Sequence, residues 1–78
     1  MEVRYFAAAA DAAGRDSEAF SAPNRTVAEV VEQVVGRHGS PMERIIARGS
    51  ILCDGVLVRD YGRPAGARLD VLPPFSGG

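Results

Sequence analysis

Residues 26–39 read TVAEVVEQVVGRHG, and what this stretch requires constrains the rest of the chain. Val27, Val30, Val31, Val34 and Val35 recur at i, i+3, i+4, i+7 and i+8, the spacing of one helical face, while Glu29, Glu32 and Gln33 fall on the other. Thr26 and Glu29 have the form of a capping box, and Gly39 is placed to supply a left-handed stop. Valine is a poor intrinsic helix former because its χ1 is restricted against the preceding turn. A helix with a valine stripe therefore depends on a sheet to cover that stripe.

Strands for such a sheet flank the helix on both sides. EVRYFA alternates Val3, Tyr5 and Ala7 against Glu2, Arg4 and Phe6, which predicts a strand over residues 2–8. AAAADAAGRD is helical by propensity, but Gly14 and the charged pair after it favour a loop into a second strand around SEAFSA. Beyond the helix, SPMERIIARG predicts a shorter one, with Ser40 as cap, Pro41 at the first position, Glu43 closing a capping box, and Met42, Ile45 and Ile46 on one side before Gly49. ILCDGVLV is two apolar runs about Asp54-Gly55, a pair suited to a type I′ hairpin. GRPAGA is a loop, and RLDVL a last strand with Leu69 and Val71 on one side. The order strand, strand, helix, short helix, hairpin, strand fits an α+β β-grasp, ubiquitin-like: a mixed sheet of about five strands with one main and one short helix. A helix between two hairpins has other arrangements, and the tail decides among them.

Composition narrows the function classes. The chain of 78 residues has room for one small domain, and 46% hydrophobic with 24% charged residues favours a packed fold. The longest apolar run, FAAAA, is far short of a membrane span and MEVRYF is unlike a secretory leader, so the expected location is the cytoplasm, with no membrane partner. A net charge of -1 argues against nucleic acid. One cysteine and one histidine leave no ligand set for a metal. Cys53 reads as a small buried hydrophobe, His38 as a residue facing solvent or the helix dipole, and the arginines as a solvated surface. All the basic residues are arginine; there is no lysine.

Residues 71–78 read VLPPFSGG. Pro73 and Pro74 cannot donate to a sheet ladder, so a strand ends before them and the chain leaves stiffly, giving a domain over residues 1–72 and a tail over 73–78. Extended, the tail reaches roughly 20 Å, enough to thread a tunnel in another protein. Gly77 and Gly78 keep it thin. The reactive group expected there is an α-carboxylate, inert to acyl transfer until activated. No phosphate-binding loop is present, so a nucleotide would sit on a partner enzyme. Gly-Gly by itself also occurs as a frayed end.

MEVRYFAAAADAAG, TVAEVVEQVV and above all VLPPFSGG resemble the small subunit of molybdopterin synthase, within the family of β-grasp sulfur carriers that includes the thiamine-pathway carrier. The resemblance implies that an adenylyltransferase of the ubiquitin-activating type spends ATP to adenylate Gly78, and that a sulfur donor protein converts the adenylate to a thiocarboxylate. The tail, with Gly77 allowing insertion, then enters the large catalytic subunit, where the sulfur passes to the pterin precursor of the molybdenum cofactor. The chain so implied binds no cofactor and is a co-substrate without catalytic side chains of its own, in a complex of two small and two large subunits. The family's docking patch matches Phe6, Leu57 and Leu72, with Pro73, Pro74 and Phe75 beside it. Phe6 and Leu57 also suit core packing if the strand phase slips by one residue.

Two departures stand out. Relatives often carry a basic residue where this chain has Ala10, and Gly-Asp-Glu where it has Gly66-Ala67-Arg68. Two other readings stay open: a carrier for another product, such as thiamine or an amino acid, or a ubiquitin-like modifier; and, from a different class, a non-covalent binding module with an inert tail.

Overall fold

The computed structural model describes residues 1–21 and 25–74. Its elements are β1 (Glu2–Tyr5), α1 (Ala8–Ala13), β2 (Ser17–Ala19), α2 (Val27–His38), α3 (Ser40–Arg48), β3 (Ser50–Cys53), β4 (Val56–Leu57) and β5 (Arg68–Leu72). One mixed sheet runs β2-β1-β5-β3-β4, with β1 parallel to β5 and the other pairs antiparallel. Val3 and Tyr5 of β1, Leu69 and Val71 of β5, and Ile51 and Cys53 of β3 join Val27, Val30, Val34, Met42 and Ile46 in one core. The phase of β1 and β5 is thus as expected, and in β1, β3 and β5 alternate residues face the helices.

The capping box forms, with Glu29 N donating to Thr26 Oγ1 and Thr26 N to Glu29 Oε1. Asp54 and Gly55 both take positive φ, 50° and 86°, as a type I′ turn requires. Three expectations are corrected. Residues 8–13 are a helix, not a loop: Ala is the best helix former, Ala9 is fully buried, α1 packs on α3, and Gly14 at φ 73°, a residue whose presence favoured a loop, is the cap that closes the helix. The described residues therefore form three helices. The first strand stops at Tyr5, because Ala7 takes φ 51°, ψ -121° and turns the chain into α1. Ser40 does not cap α3, and its capping box is absent. Gly39, at φ 81° and ψ -165°, is positive in φ but not left-handed helical; it ends α2 and is itself the N-cap of α3, so Ser40 is already inside the helix.

Gly49 fixes how α3 meets the end of β5. Its φ of -98° suits any residue. A Cβ there, however, would lie 2.0 Å from the Leu72 carbonyl oxygen and 2.8 Å from that of Ile45. Only a residue without a side chain lets α3 end this close to the last residue of β5.

Candidate functional site

With one side of the sheet buried under helices, the other residues of each strand form an open face. Arg4 of β1 pairs with Asp70 of β5, Asp70 with Leu52 of β3, and Leu52 with Leu57 of β4, so the four make one row across it. Arg4 Nε donates to Asp70 Oδ1 at 3.0 Å, and Arg68 Nε lies 3.3 Å from the same oxygen. Asp70 is only 4% exposed, a charge tolerated there because two guanidinium groups neutralise it.

Phe6 belongs to this face. Its N–H donates to Val71 O at 3.1 Å, continuing the ladder one step past β1, and the Arg4 guanidinium carbon sits 5.4 Å from its ring centroid. Phe6 is 37% exposed and Leu57 43%, so neither is a core residue; Val56, 58% exposed, pairs with inward-facing Cys53 and so belongs to the other side of the edge strand. Leu72 is half-buried beside them, followed by half-buried Pro73 and exposed Pro74. The register thus places Phe6, Leu57 and Leu72 on one side of the sheet, with Phe6 just past the end of β1, the strand next to that of Leu72 at the root of the tail, and Leu57 on the edge strand beyond β3. Phe75, Gly77 and Gly78 lie outside the described residues.

A second polar constellation sits on the opposite side, inside the core. Glu18 lies at an inward position of β2, paired with Val3, and its side chain is 3% exposed. It accepts hydrogen bonds from Tyr5 Oη at 2.7 Å, from Arg37 at 3.0 Å and from His38 Nε2, and Arg15 lies 3.4 Å away. Burial pushes the Glu18 carboxyl upward, but the bonds from His38, Tyr5 and Arg37 outweigh it and hold the pKa at about 2. Burial, and then the bond to Glu18, push the Tyr5 hydroxyl well above the usual tyrosine range. His38 is therefore neither solvent-facing nor merely a partner of the helix dipole, and Arg15, Arg37, Arg4 and Arg68 are not a featureless solvated surface: each engages a buried carboxylate. The alternation in SEAFSA was the available sign, since it puts an acid on the same side of β2 as the core. Cys53 is buried as expected, and its Sγ accepts the Gly66 N–H at 3.3 Å.

Comparison with known proteins places the chain. The ThiS family matches residues 3–78. The chain belongs to the ThiS family. Among solved structures it is similar to SAMP1 from Haloferax volcanii, at 25% identity and TM-score 0.80 over 99% of this chain and 97% of that one. It also shares its fold with a putative molybdopterin converting factor, subunit 1, from Pyrococcus furiosus, at 23% identity and TM-score 0.76 over 95% of each chain. No curated protein matches. This ThiS-family chain has the β-grasp fold and is a ubiquitin-like sulfur carrier or modifier. No helix among the described residues is long and apolar enough to cross a membrane.

Proposed function

We propose that this chain carries sulfur as a thiocarboxylate on Gly78 and delivers it to the pterin precursor of the molybdenum cofactor. The observation that carries the reading is the ThiS-family match, which runs through the Gly77-Gly78 pair after a diproline exit from β5. A carboxylate oxygen of Gly78 attacks the α-phosphate of ATP on an adenylyltransferase of the ubiquitin-activating type, releasing pyrophosphate. Sulfur at the sulfide level then attacks the acyl carbon and displaces AMP; where the donor protein holds it as a persulfide, a thiol reduces the resulting acyl disulfide and is left in a disulfide. The product suits delivery because sulfur is the better nucleophile and stays bound to the protein. This chain supplies no acid, base or nucleotide site of its own; ATP belongs to its partner.

In this reading the large catalytic subunit docks on Phe6, Leu57 and Leu72, and Pro73, Pro74 and Phe75 guide Gly77 and Gly78 into its active site, in a complex of two small and two large subunits. The exposed apolar side chains at the tail's root support this, since such clusters mark interfaces. The likeness to SAMP1, whose full name is small archaeal modifier protein 1, favours a second reading, attachment of Gly78 to other proteins. With no lysine, this chain could not itself be extended into isopeptide-linked polymers.

Intact-mass measurement after incubation with ATP, a sulfur donor and a candidate activating enzyme tests the first step. The expected result is replacement of one oxygen by sulfur in the full chain and none in a chain lacking Gly78. Absence of both adenylate and thiocarboxylate with every activating enzyme of the same cell sinks the reading. Sulfur transfer to the pterin precursor with the large subunit, against appearance of protein conjugates, separates carrier from modifier.

A further inference from the structure

We propose that the groove between α2 and α3 docks a basic, aliphatic segment of a partner protein, on the side of the domain away from Phe6, Leu57 and Leu72. The valine stripe of α2 is wider than its contact with the sheet. Val27, Val30 and Val34 are fully buried, but Val31 and Val35 turn toward α3 and stay half-buried. With Ile46 and Ala47 they floor an open groove of about 410 Å³. Glu32 and Glu43 rim it, both exposed and neither in an ion pair among the described residues.

Gly36 is the independent observation. It lies in the last turn of α2, three residues before the cap at Gly39, and lines the groove. Glycine is the weakest helix former after proline, so a glycine where the helix still runs calls for a reason. Nothing among the described residues supplies one: its φ lies outside the left-handed region, and a Cβ there would meet no described atom within 4 Å. What the missing side chain does is lower the groove wall and bare the α2 backbone to close approach from outside. An apolar floor between two unpaired carboxylates selects aliphatic side chains flanked by lysine or arginine and repels an acidic segment. The open sheet face differs in chemistry, since it sets apolar side chains beside Arg4 and Arg68. The two surfaces are separate, and the proposal stands independently of the chemistry at Gly78.

The test is titration of the ¹⁵N-labelled full chain with a synthetic helical peptide bearing leucines at i and i+4 flanked by arginines, and with the same peptide carrying glutamate for arginine. Amide shifts are expected at Val31, Val35, Gly36, Ile46 and Ala47 with the basic peptide only. Gly36→Leu, which fills the groove, should weaken binding at least tenfold while leaving the thermal midpoint level or raised. Glu32→Arg with Glu43→Arg, two surface changes, should abolish binding of the basic peptide. Gly36→Ala should raise the midpoint, showing that the native glycine is a cost to the free domain. Equal binding of the two peptides, shifts centred on Phe6 and Leu57, or unchanged affinity in both groove variants overturns the proposal. Groove shifts that grow with the chain's own concentration, without peptide, overturn it in favour of a second copy as occupant.

Discussion

Glu18 makes the stability of this domain depend on acid in a calculable way. Its carboxyl falls from the ordinary 4.5 to about 2 in the fold, a difference equivalent to roughly 3 kcal/mol. That is a ceiling, because Arg15 and Arg37, which cover the carboxylate, are 58% and 52% exposed and solvent screens them; about 1–3 kcal/mol is the working range. A carboxylate whose folded pKa is depressed adds stability that is fully present above its unfolded pKa and lost as pH falls through the folded one. Stability should therefore decline between about pH 4.5 and pH 2. The perturbation is Glu18→Gln, which keeps the shape and removes the charge. The assay is urea unfolding of both proteins from neutral pH down to about pH 2, reading the difference between them, so that carboxyls common to both cancel. The variant should be less stable by about 1–3 kcal/mol at neutral pH, and the gap should close across that acid window. A gap that stays constant to the acid end, or no gap at neutral pH, refutes the reasoning.

Other outcomes follow from single contacts. Gly49→Ala forces a Cβ to within 2.0 Å of the Leu72 carbonyl oxygen; we expect a loss of about 1–3 kcal/mol in urea unfolding and displaced amide resonances at Ser50, Leu72 and the tail. Ala7→Gly relieves a φ of 51° with ψ -121°, and should raise stability by about 1 kcal/mol despite the extra freedom of glycine in the unfolded chain; a fall in the thermal midpoint contradicts the strain argument. Phe6→Ser with Leu57→Ser should leave stability within about 0.5 kcal/mol per site while weakening capture of the large subunit, and a large stability loss would return these residues to the core.

The helical period of α2, the capping box, the Asp54-Gly55 turn and the phase of β1 and β5 were all legible because each is local: a repeat, a pair or a dipeptide whose geometry the residues themselves demand. Misreadings arose where a tertiary contact chose between local options. Residues 8–13 had helical propensity and a competing loop signal, and burial of Ala9 with packing on α3 decided for the helix. Ser40 is a good cap in isolation, but the one-residue connection at Gly39 starts α3 too early for it. The Glu18 cluster gathers Tyr5 of β1, Arg15 ahead of β2, and Arg37 and His38 at the end of α2, three parts of the chain whose meeting is tertiary. The exposed patch was legible from strand phase, which placed Phe6 and Leu72 outward; the exposure of Val56, on the other side of β4, follows instead from β4 being a two-residue edge strand.

The tail leaves from β5, and β5 is the central strand. β1 holds it in register on one side, from Glu2↔Arg68 to Tyr5↔Val71, and β3 on the other, from Ser50↔Leu72 to Cys53↔Leu69. Edge strands fray and slip at low cost; a strand bonded on both sides does so only by breaking two ladders at once. Asp54 adds a lock at the start of β5, accepting the N–H groups of Ala67 at 3.1 Å and Arg68 at 3.0 Å, and Gly49 adds one at its end by admitting the Leu72 carbonyl against α3. Leu72 is thus a fixed point from which Pro73 and Pro74 set the outgoing direction. In the proposed reading the tail serves as a delivery arm, and that requires its origin to be fixed relative to the surface that docks. Phe6, beside the Arg4–Asp70 pair and bonded to Val71, shares that origin. Under the proposed reading, Phe6 and the tail root are held by the same strand pair, and Leu57 reaches them through β3, so a partner that engages this side of the sheet receives the tail root at a set distance.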